Sequence, residues 1–138
     1  MDNFSRTKQN ELSFSIIYNY IFEREMNKSE SVDVRYIISS NCGMPYDEVD
    51  IYIKETVLKC IYNYPELVKI ISENLNRWTY ERVSLINKAI LMYGITNGKY
   101  MTDIDKKIII DICVALSKKF GGNDEYKFIN AILDKILW

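Results

Sequence analysis

The stretch NRWTYERVSLINKAILMYGITNG, residues 76–98, decides how the rest of the chain is read. Within it Ile86, Ile90 and Tyr93 recur at helical spacing, and Leu85, Ala89 and Met92 form a second row beside them. Two adjacent apolar rows predict a helix buried round most of its circumference. Thr79 is a suitable N-cap residue and Asn97-Gly98 a usual helix stop, so the expected element runs between them. A rod that is apolar on most sides needs other helices to sheathe it.

Two candidates lie directly after it. Ile104 to Phe120 places Ile104, Ile108, Ile112 and Ala115 on one face, keeps Lys106, Lys107, Lys118 and Lys119 elsewhere, and stops at Gly121-Gly122. Asp103 or Asp105 is the expected cap of this helix. The last helix starts at Asn123 or Asp124 and turns Phe128, Ile132, Leu133 and Ile136 inward. Asp124 and Glu125 suit its N-terminus, where the helix dipole favours negative charge. These three segments predict a compact C-terminal bundle over residues 76–138.

Residues 1–75 read as a helical N-terminal part of the same single domain, 1–138. A first helix from Gln9 to Met26 carries the stripe Phe14, Ile17, Tyr18, Ile21 and Phe22, with Glu23, Arg24 and Glu25 on the wetter side. A short helix from Val32 to Ser39 ends before the turn Asn41–Pro45. A third, Tyr46 to Tyr62, gathers Val49, Tyr52, Ile53, Thr56, Val57 and Cys60. Pro65 fits the first turn of a fourth, Glu66 to Leu75. The expected fold is all-α: a bundle of seven helices, one of them short.

Composition bounds the function. The chain has 138 residues, 48% hydrophobic and 27% charged, which suits one globular domain without disulfides or metal. No apolar run is long enough for a membrane span, and the N-terminus carries no apolar core of a signal peptide. Three scattered cysteines, Cys42, Cys60 and Cys113, suggest a reduced, cytoplasmic setting. The absence of histidine removes Ser-His-Asp and Cys-His nucleophile systems and His-ligated zinc. The cysteines form no CxxC pair, and Gly121-Gly122 lacks the rest of a phosphate loop. Asp47, Glu48 and Asp50 could hold a divalent ion, but they read first as a dipole-favoured helix start. No catalysis, cofactor or metal is expected. A net charge of −1 allows RNA binding only through a local basic patch or with a partner's help.

Several short motifs carry a resemblance. Trp78-Thr79 with Arg82, Lys88-Ala89-Ile90-Leu91, Lys118-Lys119-Phe120-Gly121, Lys127-Phe128-Ile129-Asn130 and Leu133-Asp134 together resemble the C-terminal half of NusB proteins, a family of bacterial antitermination factors. Their order and spacing fit the family without an insertion. Ile17-Tyr18 is similar to the family's Leu-Tyr in the first helix. The resemblance implies a NusB-like helical domain that binds boxA-like RNA jointly with NusE, a small-subunit ribosomal protein that doubles as a transcription factor. It also implies where the RNA lies: the basic N-terminus, the first helix and the region of the Lys-Phe-Ile-Asn segment. The RNA-binding candidates are therefore Arg6, Lys8, Tyr18, Lys118, Lys119, Tyr126, Lys127 and Asn130.

The bland alternatives are plain. The lysines can be solvated surface, and a Tyr on an apolar stripe is usually core with its hydroxyl at the rim. Trp138 reads as a packing anchor or part of a homodimer surface. The chain also departs from the family pattern. Only Arg6 and Lys8 stand where an Arg-rich N-terminus is usual; Thr96-Asn97-Gly98 replaces Tyr-Glu-Leu, Ile104-Asp105 replaces Ile-Pro, Ile110–Cys113 replaces Ile-Asn-Glu-Ala, and Asn130-Ala131 replaces Asn-Gly. Fewer cations mean weaker phosphate binding. A protein-interaction module of the same fold is the competing expectation. The NusB-like domain that precedes the catalytic domain of some rRNA cytosine methyltransferases is a third, and an ending at Trp138 leaves no room for that catalytic part.

Overall fold

The computed structural model describes residues 4–101 and 104–138. Among them are seven α-helices: α1 (Arg6–Ile21), α2 (Val34–Cys42), α3 (Ile51–Tyr62), α4 (Tyr64–Glu73), α5 (Leu85–Lys99), α6 (Lys106–Phe120) and α7 (Glu125–Leu137), with no strand. The expected all-α bundle is what the chain forms.

The central rod is α5. Every residue from Asn87 to Asn97 is buried, as two apolar rows require. On its sides pack α1, α3, α4, α6 and α7. Both expected ends shift, for local reasons. Thr79 opens only a tight turn, Tyr80–Arg82, in which the Arg82 N–H donates to the Thr79 carbonyl at 3.0 Å. Val83 is then extended, and Ser84 caps the helix, its Oγ accepting from the Asn87 N–H at 3.2 Å. At the other end Asn97-Gly98 is not the stop, and the helix runs on through Lys99. Asn97 is spent on a buried hydrogen-bond network, and Gly98 lets the Leu137 side chain lie against bare backbone.

The sixth and seventh helices are rotated from expectation. Helix α6 begins at Lys106, capped by Asp105, whose carboxylate accepts from the Lys107 N–H at 2.8 Å; Asp103 lies outside the described residues. Its buried side is Ile109, Ile110, Cys113, Leu116 and Ser117, whereas Ile108 is exposed, Ile112 half-buried and Ala115 exposed, and Ile104 precedes the helix. The run Ile108-Ile109-Ile110 fits either face, so periodicity alone cannot choose. Cys113 chooses: its small Sγ fits against Gly94 of α5, where an added Cβ would come within 2.8 Å. In α7 the deep residues are Ile129, Ile132, Leu133 and Leu137, with Phe128 and Ile136 at the margin. Asp124 stands before this helix at φ 64°. Trp138 is exposed, with the Lys106 ammonium 5.7 Å from its ring, and anchors no core.

Helix α1 starts before the expected Gln9, because the Ser5 Oγ accepts from the Lys8 N–H at 3.1 Å. After Ile21 it widens into a π-helical turn, Phe22–Met26, marked by the Asn27 N–H reaching the Phe22 carbonyl. This extra residue per turn brings Glu25 inward, off the wet side where plain periodicity places it. Helix α2 runs to Cys42 rather than Ser39, started by Asp33, whose carboxylate accepts from the Tyr36 N–H. The expected third helix is broken: Tyr46–Glu48 forms a separate turn before α3. Helix α4 starts at Tyr64 with Pro65 in its first turn.

Candidate nucleic-acid interface

Heptad-like spacing on α1 puts Lys8, Glu11, Ser15 and Tyr18 along one side, each about one turn from the next. The C-terminal end of α6 meets that side. The Phe120 ring packs on Phe14 at a centroid distance of 5.4 Å and a tilt of 30°. The Lys119 ammonium pairs with Glu11 Oε2 at 2.7 Å. Between the two helices lies an open cleft of about 300 Å³, lined by Lys8, Glu11, Leu12, Phe14, Ser15, Tyr18, Ile86 and Phe120.

The remaining candidates divide. Lys118 projects from the last turn of α6 over Tyr126 of α7, its ammonium 4.7 Å from the ring. Lys127 is exposed and 3.8 Å from Asp124, a loose pair that leaves the cation open to solvent. Asn130 is exposed on α7. Arg6 faces elsewhere: its guanidinium lies 4.1 Å above the Tyr52 ring of α3, on the opposite side of α1 from Lys8. So Lys8 and Tyr18 meet Phe120 at the cleft, Lys119 reaches Glu11 from a neighbouring groove that it lines with Thr7, Asn10 and Leu116, Lys118 and Tyr126 form a pair, and Arg6 stands apart. Lys118 and Lys119 also complement the negative C-terminal end of α6, a structural role that needs no ligand.

Two buried polar networks were not legible in the sequence. In the first, Glu25 of the π turn accepts from the Lys88 ammonium at 2.8 Å, from the Tyr80 hydroxyl at 2.6 Å and from the Tyr64 hydroxyl. Burial pushes the Glu25 carboxyl up, but these hydrogen bonds and the Lys88 charge outweigh it and hold the group below its usual range. The same burial, with Glu25 beside them, raises both phenols. The signal was there in part: Lys88 stands in a run that is otherwise wholly buried, and such a lysine needs a counter-charge. In the second, the Tyr93 hydroxyl donates to Asn10 of α1 at 2.8 Å, and Tyr52 bridges Tyr93 and Asn97 at 2.9 Å each. Both networks tie the N-terminal helices to α5.

A second exposed aromatic site flanks α7. Trp78 is 54% exposed, with the Arg82 guanidinium 5.9 Å from its ring. It separates two shallow grooves, one of about 330 Å³ with Val83, Asn87, Glu125 and Phe128, the other of about 390 Å³ with Leu75, Ala131 and Ile132. Among the described residues no helix is long and apolar enough to cross a membrane.

The profile of the NusB family matches residues 7–137. The transcription antitermination protein NusB of Treponema denticola is 41% identical over 86 residues, 62% of this chain and 63% of that protein, so this match spans less than two thirds of the relative. The protein of the same description from Pseudothermotoga lettingae is 29% identical over 132 residues, covering 95% of this chain and 89% of its own. Among solved structures, T. maritima NusB superposes with a TM-score of 0.81 at 21% identity, over 99% of this chain and 92% of that one. A structure of antitermination factors NusB and NusE in complex with dsRNA contains a chain that superposes with a TM-score of 0.73 at 15% identity, over 97% of this chain and 98% of its own.

Proposed function

The chain belongs to the NusB family, and on that footing we propose that it acts as a transcription antitermination factor that binds boxA-like RNA together with the ribosomal protein NusE. The observation that carries the RNA part is the meeting of α1 and α6: Lys8, Tyr18 and Phe120 line one cleft, Lys119 pairs with its Glu11 from the neighbouring groove, and α6 also carries Lys118 over Tyr126 of α7. Lysines supply phosphate contacts and the aromatic rings supply stacking faces. Lys127 and Asn130, exposed on α7, extend this surface. Arg6, turned toward Tyr52, contributes only if its guanidinium leaves that ring.

The site has few cations, and one of them is paired with Glu11, so RNA affinity rests on the partner. The Trp78 grooves suit that partner, because Trp and Arg are both enriched among the residues that dominate protein interfaces and Trp78 is exposed beside Arg82. A role in protein contact with little RNA binding is the second reading, favoured by the Lys119–Glu11 pair. A salt-dependent gel shift with boxA-type RNA, with and without NusE, separates them. Binding at low salt that strengthens with NusE supports the first reading; no shift at low salt with NusE present rejects it. Trp78→Ala is expected to weaken the NusE-dependent complex while leaving RNA binding by the chain alone unchanged.

A further inference from the structure

The cleft between α1 and α6 has the shape of a receptor for something flat. Its walls are aromatic and aliphatic: Tyr18 and Leu12 from α1, Ile86 from α5, and the Phe120 ring propped on buried Phe14. Phe120 keeps 40% of its surface exposed, unusual for a phenylalanine seated on the core. At Gly121, the next residue, an added Cβ would lie 2.7 Å from the Ser117 carbonyl oxygen, so only glycine fits the tight end of α6. At about 300 Å³ the cleft falls at the lower end of the roughly 300–1,000 Å³ typical of small-ligand sites, room for one ring system and not for a helix.

The rim is polar and of both signs. Lys8 and Glu11 line it, Glu11 with its side chain 20% exposed and shared with the neighbouring groove from which Lys119 reaches it. One carboxylate oxygen, Oε2, takes Lys119; the other, Oε1, has no partner among the described residues. Stacking faces inside, with an acceptor and a cation in the lining, match one class of occupant: a splayed-out nucleobase whose edge offers an amino group and whose flanking phosphate meets Lys8.

We propose that this cleft is a one-base pocket in which a single unpaired nucleotide of the bound RNA stacks on Phe120 and Tyr18. Glu11 Oε1 accepts a hydrogen bond from the exocyclic amine of the base, so that adenine, cytosine or guanine is taken in preference to uracil. This rests on the RNA-binding reading above, and makes Glu11 and Phe120 its specificity-determining residues. A carboxylate beside a phosphate chain is otherwise repulsive; held by Lys119, its charge is balanced and only the acceptor remains.

The test is a double-mutant cycle by fluorescence anisotropy, using the full chain with NusE and a single-stranded boxA-type RNA scanned one abasic nucleotide at a time. One position is expected to lose about 10-fold in affinity when its base is removed. Phe120→Ala is expected to lose about the same on intact RNA and nothing further on that abasic RNA, whereas Phe120→Tyr retains binding. Uracil at that position should bind more weakly than cytosine, and Glu11→Gln should narrow the difference; this arm holds even if Phe120→Ala fails to fold. Losses that add in the cycle, or no base-sensitive position, overturn the pocket while the RNA reading stands. A Phe120→Ala defect confined to NusE affinity overturns it in favour of a protein contact. No RNA binding by the unaltered chain with NusE removes both.

Discussion

The carboxylate of Glu25 sits where the Lys88 ammonium and two phenols converge, and it is the residue at which stability depends most on charge. Removing one partner of a buried pair leaves the other uncompensated, so Glu25→Gln is expected to cost about 3 kcal/mol in urea unfolding at pH 7. The pH dependence has a definite sign. The Glu25 carboxyl lies below its ordinary value when folded, so its contribution is complete above the unfolded value, about 4.3, and is lost as pH falls through the folded one. The unfolding midpoint should therefore fall on acidification below about pH 4, and fall less in Glu25→Gln. An equal fall in both proteins would show that other groups govern acid unfolding. Burial also raises the Cys60 thiol to about 12 and leaves it a packing group at neutral pH.

At the scale of elements, periodicity revealed the helices but not their faces or ends. The double apolar row of α5 left a single solution, and that helix is buried as its sequence requires. In α6 three consecutive isoleucines made two faces equally plausible, and the choice fell to a contact with Gly94 that no local pattern encodes. The ends moved where a better cap stood nearby: Ser84 displaced Thr79, and Ser5 started α1 a turn early. The inward turn of Glu25 needed a π-helical residue that a fixed period does not represent. Of the proposed site, the cations and Tyr18 were readable, whereas the placing of Glu11 and Phe120 at one cleft comes from a meeting of α1 and α6 visible only in three dimensions. The glycines of α5 obey the same logic. In an exposed helix Gly→Ala stabilises by up to about 1 kcal/mol. Here Gly98→Ala would overlap a Leu137 methyl and Gly94→Ala would press on Cys113, so each is expected to lower stability by about 1–3 kcal/mol. A raised melting temperature for either would show that α6 and α7 pack less closely on α5 than described.

On the scale of the whole molecule, a chain with a net charge of −1 must concentrate its cations to hold RNA. On a single strand, each lysine–phosphate pairing that is removed takes about 0.7 from the slope of log affinity against log salt. Lys118→Ala with Lys127→Ala is expected to flatten that slope by about 1.4 in the NusE-containing complex. An unchanged slope would mean that these lysines serve only the helix ends. The most direct measurement of the central claim, that the α1–α6–α7 face is the RNA surface, is amide hydrogen exchange on the NusE-bound chain with and without boxA-type RNA. Added RNA is expected to slow exchange in residues 8–18 and 118–130 and to leave α3 and α4 unchanged. Protection confined to α3 and α4, with residues 8–18 and 118–130 exchanging as before, would contradict it.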